Sequence, residues 1–280
     1  MLVEQEVIAN EILGPVDWGI RKLVLRGPVA LEAKPGQFVH VQVLPALDPL
    51  LRRPLSIAAI NPERQEITLL YKIKGKGTEL LAMACPGQKL NILGPLGKGF
   101  TLPGQGELWL VAGGIGIFPL YALAAAAQKQ GLAIRLFWGG ENRSLLEGAG
   151  LAMWKELGLP SHISTLDGSC GQKGLVTDIL QDYLQERRQG SPGPGPAAAG
   201  QSVRVAVCGP AGMMQAVTAL CLEAGLPVEV SLEEHMACGL GACLGCAATL
   251  RDQQGKVRRV KVCRDGPVFP GEEVVWHASC

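Results

Sequence analysis

The sequence predicts a β-barrel plus α/β protein: an antiparallel barrel, a parallel-sheet domain, and a small cysteine-rich C-terminal unit. Three observations lead there. Up to about Phe100, short β-rich runs are separated by Gly and Pro turns. Beyond it, strand-like and helix-like segments alternate. From about Glu233, three cysteines fall within nine residues.

The N-terminal "MLVEQEVIANEIL" alternates like a strand, and "VHVQVL", "LSIAAI", "EITLLYKI" and "KLNILG" continue the pattern. Short runs of this kind suit an antiparallel barrel. "LGPLGKGFTLPGQGE" is dense in Gly and Pro and marks a boundary. After it, "ELWLVAGG" reads as a buried strand and "PLYALAAAAQKQG" as a helix, with Pro119 in its first turn and Gly131 past its end. "AIRLFWGG", "HISTLDGS" and "VRVAVCGP" read as further strands, "VTDILQDYLQERR" and "AGMMQAVTALCLEAG" as helices. Such alternation implies a parallel sheet covered on both faces. "QGSPGPGPAAAGQS" is low in complexity and reads as a surface insertion within the α/β domain.

The chain has 280 residues, 48% of them hydrophobic, and a formal net charge of +1. That balance argues against nucleic-acid binding, which needs a clear basic excess. Neither a basic–apolar leader nor a run of ~18 apolar residues is visible, so the expectation is a cytoplasmic protein without a membrane span. Nine cysteines, an odd number, point away from a disulfide framework. Cys85, Cys170, Cys221 and Cys280 are scattered and read as ordinary thiols.

The remaining pattern is Cys238-x4-Cys243-x2-Cys246, with Cys263 sixteen intervening residues later. Structural zinc favours two short pairs, each a rigid knuckle. Three thiols on one loop and a distant fourth instead fit the plant-type spacing for a [2Fe-2S] cluster. Gly239, Gly241, Ala242 and Gly245 are small enough to let backbone N–H groups turn toward a negative centre. Spacing favours iron–sulfur and leaves zinc open.

Two upstream segments could serve nucleotide cofactors. "RRPLSIAAI" and "LLYKIKGKGTELL" offer a cation, a hydroxyl, and a Gly-x-Gly-Thr turn in which Thr78 reads as the N-cap of a short helix. "LVAGGIGIFPLYAL" runs from strand to helix, the context of a dinucleotide loop, but Pro119 stands where G-x-G-x-x-G needs its third glycine. A plain barrel turn and a plain strand–helix turn remain open for these residues, as does a buried strand-end thiol for Cys208.

"RPLS" with "YKIKGKGT", the Gly113–Pro119 loop, and "CGPAGMM" together resemble the ferredoxin–NADP reductase superfamily. The resemblance implies an FAD-binding barrel in which Arg53 pairs with the pyrophosphate and Pro54 and Leu55 line the ring. Ser56 would hydrogen-bond near flavin N5. Leu70, Tyr71 and Lys72 would border the isoalloxazine and ribityl chain, and Gly77 and Thr78 would hold the pyrophosphate. It implies a nicotinamide site formed by Gly113, Gly114, Gly116, Pro119, Gly209 and Pro210. Ser56 and Cys208 would then be the catalytic pair, with Cys208 beside the nicotinamide. Glu141 in "FWGGEN" would favour the free ribose hydroxyl of NAD, while adjacent Arg143 could accept the extra phosphate of NADP.

The tail, "SLEEHMACGLGACLGC" with "KVCRDGPVF", closely resembles the electron-transfer subunits of class 1B dihydroorotate dehydrogenases, as do "GPLGKGF" and "TLDGSCGQKGLVTD". The low-complexity stretch is a departure from that family. The resemblance implies an FAD-binding barrel over 1–101, an NAD-binding domain over 102–230, and a [2Fe-2S] domain over 231–280 with Cys238, Cys243, Cys246 and Cys263 as ligands. It further implies an FMN-containing catalytic partner subunit, a heterotetramer, and electron flow through [2Fe-2S] and FAD to NAD⁺ in pyrimidine biosynthesis. Met236, Leu240 and Leu244 are candidates for an apolar contact patch around the thiols, or equally for packing the small tail.

Overall fold

The computed structural model describes residues 1–43, 48–188, 202–252 and 254–276. All of the low-complexity stretch but Ser202 lies outside the described residues, as does Cys280.

Six strands, β1 (Leu2–Ile12), β2 (Ile20–Arg26), β3 (Phe38–Gln42), β4 (Arg53–Asn61), β5 (Glu66–Lys72) and β6 (Lys89–Leu96), close an antiparallel barrel in the order β1-β2-β5-β4-β3-β6. Period-two alternation explains the closure. Leu23 and Leu25, Val39 and Val41, and Ile67 and Leu69 all point inward and are fully buried. Two short helices, α1 (Val29–Glu32) and α2 (Lys76–Ala82), add Val29, Ala30 and Leu81 to this core. β6 carries an extra residue opposite Val39, at Gly94–Pro95, where a Cβ on Gly94 would meet the Val39 side chain at 2.7 Å.

The second body is built on β7 (Glu107–Gly113), α3 (Phe118–Lys129), β8 (Ala133–Gly140), α4 (Arg143–Gly148), α5 (Leu151–Glu156), β9 (Ser161–Thr165), β10 (Gln172–Lys173), α6 (Val176–Arg188), β11 (Val203–Cys208), α7 (Ala211–Glu223) and β12 (Val228–Ser231). Its strands pair in the parallel order β10-β9-β8-β7-β11-β12. β7 shows why both faces are covered. Leu108, Leu110 and Ala112 pack with α3 and with Ile20, Ala58 and Leu70 of the barrel, while Trp109 and Val111 pack with α6 and α7. Pro119 sits in the first turn of α3, and Gly131, at φ +70°, follows its end, as the residue types dictate.

Beyond β12 the chain forms the thiol loop, a hairpin of β13 (Ala247–Arg251) and β14 (Val257–Lys261), and α8 (Val262–Asp265). It then returns as β15 (Val268–Pro270), antiparallel to β12 at the edge of the large sheet. The cysteine-rich unit therefore shares that sheet and the apolar cluster that holds Val205, Val230, Cys246 and Cys263. No helix among the described residues is long and apolar enough to cross a membrane.

Candidate functional site: two adjoining cavities and a thiol loop

The first cavity, about 270 Å³, opens between the barrel and the sheet domain. β4 contributes Arg53, Pro54, Leu55 and Ser56, β5 contributes Leu70, Tyr71 and Lys72, and Thr78 closes one end. The sequence motifs point to all of these. Gly77 lies just behind them: a Cβ there would collide with the Arg53 guanidinium. The glycine thus lets Arg53 lie against the start of α2, with its Nη1 also donating to the Leu51 carbonyl. An anionic group in this cavity would meet a guanidinium held in place by the chain itself.

Two expectations change in detail. The N-cap of α2 is Gly75, and Thr78 stands three residues further on. Its hydroxyl accepts the N–H of Lys74 at 2.9 Å and of Gly75 at 3.2 Å, and donates to the Gly75 carbonyl at 2.9 Å, so it fastens the turn. Gly75 is in extended backbone (φ 169°, ψ −176°), and the threonine reaches back to it. Tyr71 borders the cavity, but its ring belongs to the barrel core, with its hydroxyl donating to Asn10 Oδ1 at 3.2 Å. Burial pushes its pKa up to about 12. Strand alternation is the reason, since the neighbours Leu70 and Lys72 take the outward positions.

The second cavity, about 520 Å³, sits at the C-terminal ends of β7, β8 and β11, where the strand order reverses. This is where open α/β sheets bind ligands. Gly113, Gly114, Gly116, Glu141, Gly209 and Pro210 line it, and Pro119 lines the first cavity instead. Close approach explains the glycines: a Cβ on Gly113 would meet Met213 Sδ at 2.6 Å and Pro210 at 2.7 Å. The Cys208 thiol lies beneath this floor, 1% exposed in the apolar cluster that contains Ile117 and Phe118. Burial pushes its pKa up, so it stays a neutral thiol. It lines neither cavity.

The two cavities share Lys72, Lys74, Ile115 and Glu233. Trp18 also lines the second cavity. Its indole N–H donates to Ser144 Oγ at 2.9 Å across the domain junction, and Lys72 Nζ lies 4.7 Å from its ring centre. It lies in a strand-linking turn with no motif around it.

The four thiols form two pairs. Cys238 and Cys243 have their sulfurs 3.3 Å apart, and Cys263 donates its backbone N–H to Cys246 Sγ at 3.5 Å. Among the described residues, no three His, Cys, Asp or Glu side chains surround a single metal-sized point. Two dithiol pairs fit a two-iron cluster, with two thiolates for each iron. Backbone N–H groups already face the sulfurs: Leu240 and Cys243 donate to Cys238 Sγ at 3.4 Å each, and Gly241 donates to Cys263 Sγ at 3.2 Å. The Cys243 N–H above all brings the Cys238 thiol down to about 6. Burial, followed by Cys246 beside it, raises Cys263 to about 12. Gly239 and Gly241, at φ +69° and +77°, give the loop the left-handed turns that aim these donors.

A closed antiparallel barrel docked on a parallel sheet, with the cavities meeting at the junction, defines a ferredoxin reductase-type oxidoreductase. The structure is similar to that of an NADH-dependent reduced ferredoxin–NADP oxidoreductase chain (TM-score 0.79, 30% identity, covering 97% of this chain and 90% of that one). It shares its fold with a Neisseria gonorrhoeae ferredoxin NADP⁺ reductase that holds FAD and NADP (TM-score 0.60, 16% identity, 80% and 92% covered). Residues 110–219 match the oxidoreductase NAD-binding domain family, and residues 233–275 match the iron-sulfur cluster binding domain of dihydroorotate dehydrogenase B. The sequence is 39% identical over 251 residues to the dihydroorotate dehydrogenase B (NAD(+)) electron transfer subunit of Desulforamulus reducens, covering 89% of each chain. It is 36% identical over 281 residues to that of Bacillus cereus, covering 98% of this chain and 97% of that one. The chain belongs to the family of dihydroorotate dehydrogenase B electron transfer subunits.

Proposed function

We propose that this chain takes electrons from an FMN-containing dihydroorotate dehydrogenase catalytic subunit and passes them through [2Fe-2S] and FAD to NAD⁺. The observation that carries the reading is the junction of the two cavities at Lys72, Lys74, Ile115 and Glu233, beside a loop of paired thiols. A flavin suits the middle position because it exchanges electrons singly with a cluster and as hydride with nicotinamide. The chain's own residues do the placing. Arg53 and the start of α2 bind the anionic end of the flavin, Ser56 offers a hydroxyl to its reactive edge, and Pro54 and Leu55 exclude water. The four thiolates hold the irons, and the glycine loops of β7 and β11 let the nicotinamide approach closely.

NAD is favoured over NADP because Glu141 lines the second cavity while the Arg143 Nε donates to the Ser169 carbonyl at 3.0 Å. We assign residues 1–101, 102–230 and 231–280 as the flavin, nicotinamide and cluster units. We place the protein in the cytoplasm, where ligand thiols stay reduced, and in a heterotetramer of two such chains with two catalytic subunits.

Co-expression with a class 1 catalytic subunit is expected to yield a complex that reduces NAD⁺ with dihydroorotate. A stable complex without this activity would favour a second reading, an adaptor for another oxidoreductase, which the 0.79 TM-score to the ferredoxin–NADP oxidoreductase chain supports. Anaerobically purified protein is expected to show flavin bands and a broad iron–sulfur envelope. A colourless zinc protein would overturn both readings.

A further inference from the structure

β3 presents two side chains away from the barrel core. Val39 and Val41 point inward, while Phe38 and His40 take the alternate positions. Phe38 borders the flavin cavity and also packs in the apolar cluster that contains Cys246 and Cys263. Two residues along, the His40 ring lies against the thiol loop: a Cβ on Gly239 would stand 2.6 Å from His40 Nδ1. Gly239 directly follows Cys238, so the glycine that shapes the loop also makes room for the imidazole.

His40 is 0% exposed, and neither ring nitrogen has a hydrogen-bond partner among the described residues. Burial, followed by the Arg52 and Arg53 charges, brings its pKa down to about 4. The ring is therefore neutral and carries one N–H donor and one lone pair. A buried N–H without an acceptor is destabilising, and such groups are rare unless something outside the chain satisfies them. Two groups would flank β3 in the loaded protein. The wall of the flavin cavity includes Phe38 and not His40, and the ring's close contact is with the loop of Cys238.

We propose that His40 donates its ring N–H to a sulfur of the [2Fe-2S] centre, so that a residue of the flavin barrel sets the centre's reduction potential. The inference rests on the assignment of the four thiols to such a centre. Reduction adds negative charge to the cluster, and an N–H aimed at its sulfur stabilises the reduced form more than the oxidised one. His40 is then a tuning residue that acts through its ring N–H.

The test is an EPR-monitored redox titration of the full chain, purified anaerobically with its catalytic subunit. His40→Phe keeps an aromatic ring at this position and removes the N–H. Its iron and flavin contents are expected to match wild type, with the reduction equilibrium shifted about tenfold toward the oxidised cluster, or ~59 mV for one electron. His40→Gln, which retains an N–H, is expected to recover at least half of that shift. In wild type labelled with ¹⁵N-histidine, pulsed EPR of the reduced cluster is expected to show a nitrogen coupling that His40→Phe loses. An unchanged potential in an iron-loaded His40→Phe protein overturns the proposal and makes His40 a spacer. If His40→Phe fails to load iron, absence of the nitrogen coupling in wild type overturns it equally. Wild-type protein that binds zinc or no metal overturns the cluster assignment itself, a result distinct from either.

Discussion

Cys263 is far from the other thiols in sequence, yet its N–H meets Cys246 Sγ at 3.5 Å. Replacing it by Ser is expected to lower bound iron by at least about tenfold while leaving FAD in place, since the flavin cavity is built on β4 and β5. Iron assay and the visible spectrum check this. Gly77 is a sharper probe. Gly77→Ala is expected to raise the FAD dissociation constant about tenfold, ~1.4 kcal/mol, because the new Cβ displaces Arg53. Helix propensity alone would make the same change favourable, so weaker binding at an unchanged melting temperature of the FAD-free protein isolates the clash. Ser56→Ala is expected to slow FAD–NADH hydride exchange by about 100-fold in stopped-flow measurements, with flavin content unaltered. Local spacing made the four cysteines legible, and short strand or turn motifs did the same for Arg53, Ser56 and Gly77. His40 and Trp18 carried no such mark, because their partners Gly239 and Ser144 are distant in sequence.

The strands of the barrel and the β–α alternation were legible at the scale of elements wherever a run was long enough to show its period. α6 has the bounds of "VTDILQDYLQERR", and β7 and β8 match their apolar runs. The short elements β10, β12 and β15 were not, since two to four residues cannot express a period. Charge placement on β7 was also hidden. Glu107 opens that strand with its side chain 2% exposed, 3.1 Å from Arg135 and 3.5 Å from Arg187. Glu107→Ala would remove the buried carboxylate that Arg135 and Arg187 both meet and is expected to cost about 3 kcal/mol in urea denaturation. The NADH KM should hold under native conditions, because Gly113 lies at the other end of the strand.

For the molecule as a whole, the thiol loop turns two leucines to solvent, Leu240 at 60% and Leu244 at 71% exposure. Isolated exposed leucines are common, but these flank Cys243, on the route electrons must take. Leu240→Glu with Leu244→Glu is expected to weaken binding to the catalytic subunit by about 100-fold or more, given ~1.5–3 kcal/mol for each buried leucine. Iron, flavin and NADH-dependent dye reduction should be retained, which separates a docking defect from a folding one. Calorimetric titration of the two subunits reads the difference. Composition and motif order made the three-part plan legible, whereas the sharing of a sheet between the second and third parts was not.

That sharing has a mechanical consequence. The thiol loop leaves the sheet from β12 and re-enters it through β15, strands that are hydrogen-bonded neighbours, and Lys98 N–H ties the barrel exit to the Gly266 carbonyl. Both ends of the loop are thereby moored to one rigid platform, and the flavin barrel is lashed to the same point. The loop cannot swing between donor and acceptor like a carrier on a tether. With both ends of the loop moored there, transfer between the two centres is expected to follow driving force and distance and to be indifferent to the viscosity of the surrounding solvent.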